Sequence, residues 1–167
     1  MLVTGFEPFQ NYEINPSTIV AKRLSPNPEI LKVSYPFVEA FAKRAQGDVI
    51  FCLGLNANLS EPAFELYAHN AIGTEPDATG HKETRTIIKK GGPKTLGQTI
   101  ATPDQLPSIP MKTSFTPGNY LCNFLLYSLL IRYPDRKIGF VHVPLLENMP
   151  EFQQVRQLND LIKYLGF

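Results

Sequence analysis

Residues 48–54 read Asp-Val-Ile-Phe-Cys-Leu-Gly, and the five residues between Asp48 and Gly54 are all apolar. A strand with one wet face alternates apolar and polar side chains, whereas a strand covered on both faces does not. The run therefore predicts a central strand with packed layers above and below it. Residues 137–143, KIGFVHV, repeat the pattern and are closed by Pro144. Between the two lies 120–133, strongly apolar, long enough for a buried helix, and stopped by Pro134. Strands alternating with helices argue for an α/β fold: a three-layer α/β/α sandwich around a mainly parallel, mixed central sheet.

Working outward, residues 1–4 read as a short strand closed by Gly5. Asn15 is a candidate N-cap and Pro16 a good first residue for a helix over 17–24. Residues 30–34 form a second candidate strand. Residues 36–46 carry Phe37, Val38, Phe41 and Ala42 at helical spacing, and Gly47 ends them. Residues 63–72 read as one extended segment with Glu65, Tyr67 and His69 along one face. Residues 73–119 hold six of the eleven glycines and are the least regular stretch, with one strand expected at 84–90. Residues 151–165 read as an amphipathic helix with Val155, Leu158, Ile162 and Leu165 on its apolar face. There are no internal repeats, and residues 1–167 are expected to form one domain.

Lys+Arg number 16 and Asp+Glu 15, a net charge of +1, so no strong field steers the chain to nucleic acid or an anionic membrane. Hydrophobic residues make up 43%, which excludes a disordered chain. There are 15 prolines in 167 residues, about 9% where roughly 5% is usual. They are scattered between apolar segments and read as loop punctuation. The N-terminus enters an apolar strand with no charged leader region. The longest apolar run, 124–131, is far short of the ~20 residues a bilayer requires. A soluble, cytoplasmic protein is expected. Cys52 and Cys122 lie far apart in sequence and are not expected to pair in reducing surroundings. Neither has a second Cys or His at metal-ligand spacing, so no metal site is expected. GxGxxG and GxxxxGK[ST] are both absent, which argues against nucleotide binding.

Three side chains could carry chemistry together. Cys122 opens a predicted helix after the turn Thr116-Pro117-Gly118-Asn119, and a helix N-terminus stabilises a thiolate. His142 lies near the C-terminal end of a predicted strand, where α/β sheets place functional groups. Glu65 is a carboxylate on an otherwise apolar segment. A thiol, an imidazole and a carboxylate make a nucleophile, a base and an orienting group. The plain reading stands beside this one. A lone cysteine is usually a small hydrophobe, as Cys52 is expected to be. A strand histidine is often a hydrogen-bonded core residue, and Glu65 could face solvent at a sheet edge.

Four segments, in order, resemble the pyrrolidone-carboxyl peptidases, also called pyroglutamyl peptidase I. They are VTGFEPF at 3–9 with INPS at 14–17, FELYAHNAI at 64–72, GNYLCNFLLY at 118–127 and GFVHVPLLENMP at 139–150. The resemblance implies a cysteine exopeptidase that removes an N-terminal pyroglutamyl residue from peptides. It implies Cys122 as nucleophile, His142 as general base and then acid, and Glu65 as the group that orients the imidazole. It also implies a substrate pocket that includes Phe6, Phe9, Tyr120 and Leu121, no metal or organic cofactor, and a homo-oligomer. Three departures accompany it. Glu75 stands where the family has an arginine near the scissile carbonyl, Gln10 and Asn11 replace paired glycines, and the chain reads as a shortened member. They leave open a second reading, a weakened or inactive homologue that binds peptides or small lactams.

Overall fold

In the computed structural model, which describes residues 1–167, the 48–54 run is strand β3, Val49–Leu55. Its side chains divide between two apolar clusters. Ile50 and Cys52 join one, Phe51 and Leu53 the other. That division is why the run does not alternate in polarity. The other elements are β1 (Leu2–Phe6), α1 (Pro16–Leu24), β2 (Glu29–Leu31), α2 (Tyr35–Arg44), β4 (Ala63–Glu65), β5 (Tyr67–His69), β6 (Thr95–Gly97), β7 (Lys112–Ser114), α3 (Leu121–Arg132), β8 (Lys137–Val143) and α4 (Glu151–Tyr164).

The main sheet has the order β2-β1-β3-β8-β4-β7. β2, β1, β3 and β8 are mutually parallel, and β4 and β7 run antiparallel to them. The sheet is thus mainly parallel and mixed. Helices α2 and α3 cover one face, with Phe41, Phe124, Leu125 and Phe140 in the cluster beneath them. Helices α1 and α4 cover the other, over Val20, Val141, Leu158 and Leu161. β8 divides like β3, with Ile138 and Phe140 on one side and Val141 and Val143 on the other. No helix is long and apolar enough to cross a membrane.

Local signals place most boundaries. Asn15 caps α1, its side chain accepting the Ser17 N–H at 3.0 Å, and Pro16 takes the first helical turn. Helix α3 is buried on nearly every side, since it packs against the sheet, α2 and the small β5–β6 sheet. Its uniform apolarity follows from that.

Four expectations are corrected. Residues 84–90 form no strand. The N–H groups of Ile88 and Lys89 donate to the Asn70 side chain at 2.9 and 2.8 Å, and Ile87 is exposed. A β-branched run without a partner strand has satisfied its backbone locally. Residues 63–72 do not continue as one strand. Leu66 bridges two sheets, its N–H bonded to Ser114 and its carbonyl to Gln98, so Glu65 is buried while Tyr67 is exposed. The second strand is Glu29–Leu31, because Val33 and Ser34 already turn into α2. Finally, Gly5 does not close β1, which runs on to Phe6.

Gly5 is required by close approach, since a Cβ there would meet the Ser17 carbonyl oxygen at 2.6 Å. Both partners are backbone, so Gly5→Ala must push α1 off the strand. Overpacking of this kind costs about 1–3 kcal/mol. The expected result is a lower urea midpoint with an unchanged slope.

Candidate active site

The site forms where β3, β8, β4 and the start of α3 meet. Parallel pairing sets Gly54 of β3 beside His142 of β8. β4 runs antiparallel along the other side of β8, with Ala63 opposite His142. This brings Glu65 within reach of the imidazole. His142 Nδ1 lies 2.7 Å from Glu65 Oε1, and the two residues are only 4% and 1% exposed. A carboxylate at Nδ1 fixes the ring and leaves Nε2 free on the other side.

Cys122 is the second residue of α3 and is half-buried. Tyr120, at the N-cap, offers no side-chain cap, so the first-turn N–H groups keep their donor capacity and the positive end of the helix lies at the thiol. The sulfur rests on Gly54, where a Cβ would come within 2.8 Å of Sγ and 2.8 Å of the Phe140 ring. Burial pulls the proton affinity of His142 down. The neighbouring Cys122, then Glu65, outweigh it and raise the imidazole from 6.5 to about 9. The sulfur, lying over Gly54, is thus on the strand position paired with His142. Cys52, fully buried one pleat away, is pushed up to about 12, chiefly by burial.

A cleft of about 360 Å³ opens beside these groups. Phe6, Phe9, Tyr120 and Leu121 all line it, as do Cys122 and His142. Val33 and Leu55 add further apolar wall. Flat aromatic and aliphatic walls with a few polar groups suit a small planar ring. Glu75 is exposed and is not part of this lining. Asp77, two residues on, is committed to structure. Burial raises its carboxyl, but hydrogen bonds from Thr79, Tyr35 and His81 prevail and hold it below the usual range. The Tyr120 hydroxyl donates to Pro76 O at 2.9 Å and ties this loop to the cleft wall. No group of three or more His, Cys, Asp and Glu side chains could hold a metal ion.

Two positioning residues escaped the sequence reading. Gly54 gives no local signal, since its role depends on strand register. Asn123 follows the cysteine and is wholly buried. Its amide donates to His69 O and Ala71 O at 2.8 and 2.9 Å and accepts the His69 N–H at 2.8 Å. It fastens the first turn of α3 to β5. A buried polar residue inside an apolar helix was the available signal.

Fold and site together define an α/β sandwich protein that carries a cysteine at a helix N-terminus beside a buried histidine–carboxylate pair. The pyroglutamyl peptidase family matches residues 1–157. A pyrrolidone-carboxylate peptidase of Thermosipho africanus is 28% identical over 167 residues, covering 87% of this chain and 82% of that protein. Pyrrolidone-carboxylate peptidase 2 of Caldanaerobacter subterraneus is 29% identical, with 98% and 91% covered. The crystal structure of pyrrolidone carboxyl peptidase from Thermus thermophilus superposes with a TM-score of 0.83 at 28% identity. The chain belongs to the pyroglutamyl peptidase family. It covers 98% of the Thermus chain and is itself 98% covered, so it is not short against that relative.

Two outcomes test the geometry. Gly54→Ala should displace the Cys122 sulfur and lower its alkylation rate by iodoacetamide, with the fold retained. Cys122→Ser removes the largest cause that raises His142, so the imidazole midpoint followed by NMR should fall below about 9. A folded value raised from 6.5 to about 9 stabilises fully below 6.5, and this contribution is lost as pH rises through about 9. Cys122→Ser should flatten that part of the stability profile.

Proposed function

We propose that the chain hydrolyses the bond after an N-terminal pyroglutamyl residue of peptides, with Cys122 as nucleophile, His142 as acid and base, and Glu65 as the group that orients His142. The observation that carries this is the buried 2.7 Å pair between His142 and Glu65 beside the thiol, in an aromatic-walled cleft. Membership of the pyroglutamyl peptidase family supports the substrate class.

The steps follow from the placement. The Cys122 thiolate attacks the pyroglutamyl carbonyl carbon, and the carbonyl π electrons move to oxygen. First-turn N–H groups of α3 stabilise that oxyanion. His142, protonated at neutral pH by its raised proton affinity, gives its proton to the departing amine as the C–N bond breaks. A thioester remains. The neutral imidazole then takes a proton from water, the resulting hydroxide attacks the thioester, and the thiolate leaves with pyroglutamate released. Glu65 holds the ring and balances the imidazolium throughout. Phe6, Phe9, Tyr120 and Leu121 pack on the faces of the lactam. Glu75, exposed and outside the cleft lining, favours this reading over a homologue that only binds peptides or lactams.

A fluorogenic pyroglutamyl amide decides the matter. The reduced protein should release the fluorophore, and Cys122→Ser should abolish release. Glu65→Gln keeps the size of the side chain but removes its charge, and should lower kcat by about 10²- to 10⁴-fold. No detectable turnover by freshly reduced protein would overturn the proposal.

A further inference from the structure

Gln10 is the one non-glycine residue of the chain with a positive φ, at 54°. It sits in the tight turn over residues 9–12, closed by the Tyr12 N–H to Phe9 O at 3.1 Å. Glycine takes this conformation freely, whereas glutamine does so under strain. Nothing inside the protein accounts for the choice. Gln10 is exposed, so packing does not hold it, and its carboxamide makes no hydrogen bond within the chain. Yet it lines the cleft together with Phe9 and Tyr12, whose ring centroids are 5.9 Å apart in a tilted pair.

The other amides of the cleft have their carbonyl oxygens engaged. Asn15 donates to Glu7 O and accepts from both the Ser17 N–H and the Ser17 hydroxyl. Asn56 accepts the Asn58 N–H at 3.1 Å. Gln10 is left with a carbonyl and an NH₂ that are both unengaged at the mouth of an aromatic-walled pocket. Strained backbone positions cluster at active sites and ligand clamps.

We propose that Gln10 is a specificity-determining residue whose carboxamide hydrogen-bonds an amide group of the bound peptide. The inference rests on the pyroglutamyl-peptide reading above. A carboxamide complements an amide, offering a donor to its C=O and an acceptor to its N–H. Two amides of the substrate have that chemistry: the lactam of the first residue, and the peptide group beyond the scissile bond.

The test compares Gln10→Gly with Gln10→Ala on two substrates. One is a pyroglutamyl aminocoumarin, with no amide beyond the scissile one, and the other a pyroglutamyl tripeptide. Both variants lose the carboxamide, so kcat/KM should fall about three- to tenfold through KM, the range of one uncharged hydrogen bond. A loss on both substrates identifies the lactam as partner, and a loss on the tripeptide alone identifies the downstream peptide group. The melting temperature should hold or rise with Gln10→Gly and not rise with Gln10→Ala, because only glycine relieves the turn. Unchanged kcat/KM on both substrates with Gln10→Gly overturns the proposal. Should the wild-type chain turn over neither substrate, the hydrolytic reading fails, and Gln10 is judged separately by calorimetry. Pyroglutamyl tripeptide binding to Cys122→Ser, weakened by a similar factor on adding Gln10→Gly, supports the proposal. Equal affinity overturns it.

Discussion

β3 and β8 lie side by side over seven residues in parallel register, each covered on both faces. A shift of one residue would exchange the two faces along their whole length and put side chains of the wrong size into both close-packed layers. That fixed register sets Gly54 beside His142. The missing side chain at Gly54 makes the space the Cys122 sulfur occupies, and His142 is held next to it. β4 then joins β8 from the other side in the reverse direction and brings up Glu65. Sheet register therefore places His142 and Glu65 together, and the start of α3 sets the Cys122 sulfur over Gly54 beside them.

The electrostatics follow from the same enclosure. An imidazole in an apolar interior would ordinarily lose its proton. Here the neighbouring thiol and carboxylate outweigh that tendency. One oxygen of Glu65 is engaged by His142 and the other has no partner within the chain. A buried pair that lost one member would leave an uncompensated charge, which is strongly unfavourable. The interaction that orients the histidine thus also constrains which substitutions the core accepts.

Much of this was legible in the residues. The unbroken apolar runs at 48–54 and 137–143 announced two buried strands, and Asn15 with Pro16 announced the start of α1. The motif around Cys122, His142 and Glu65 singled out those three side chains. What could not be read depended on tertiary partners. Residues 84–90 have strand-like composition, but Asn70 reaches them before any strand does. The break at Leu66 arises because the chain leaves one sheet for another. Gly54 is one glycine among eleven until the register shows what lies over it, and the left-handed turn at Gln10 is invisible in a sequence where glycine would have been the signal.

Asn123 fastens the first turn of α3 to β5 by three hydrogen bonds, while the walls of the cleft come partly from the segments after β1 and before α3. The thiol–imidazole–carboxylate cluster and its rim are thereby mechanically separate. Rim residues such as Gln10 can be exchanged without moving the sulfur, because the thiol takes its position from the clamp and the sheet. Over evolutionary time the rim of such a cleft can drift in sequence while the thiol, imidazole and carboxylate stay in place.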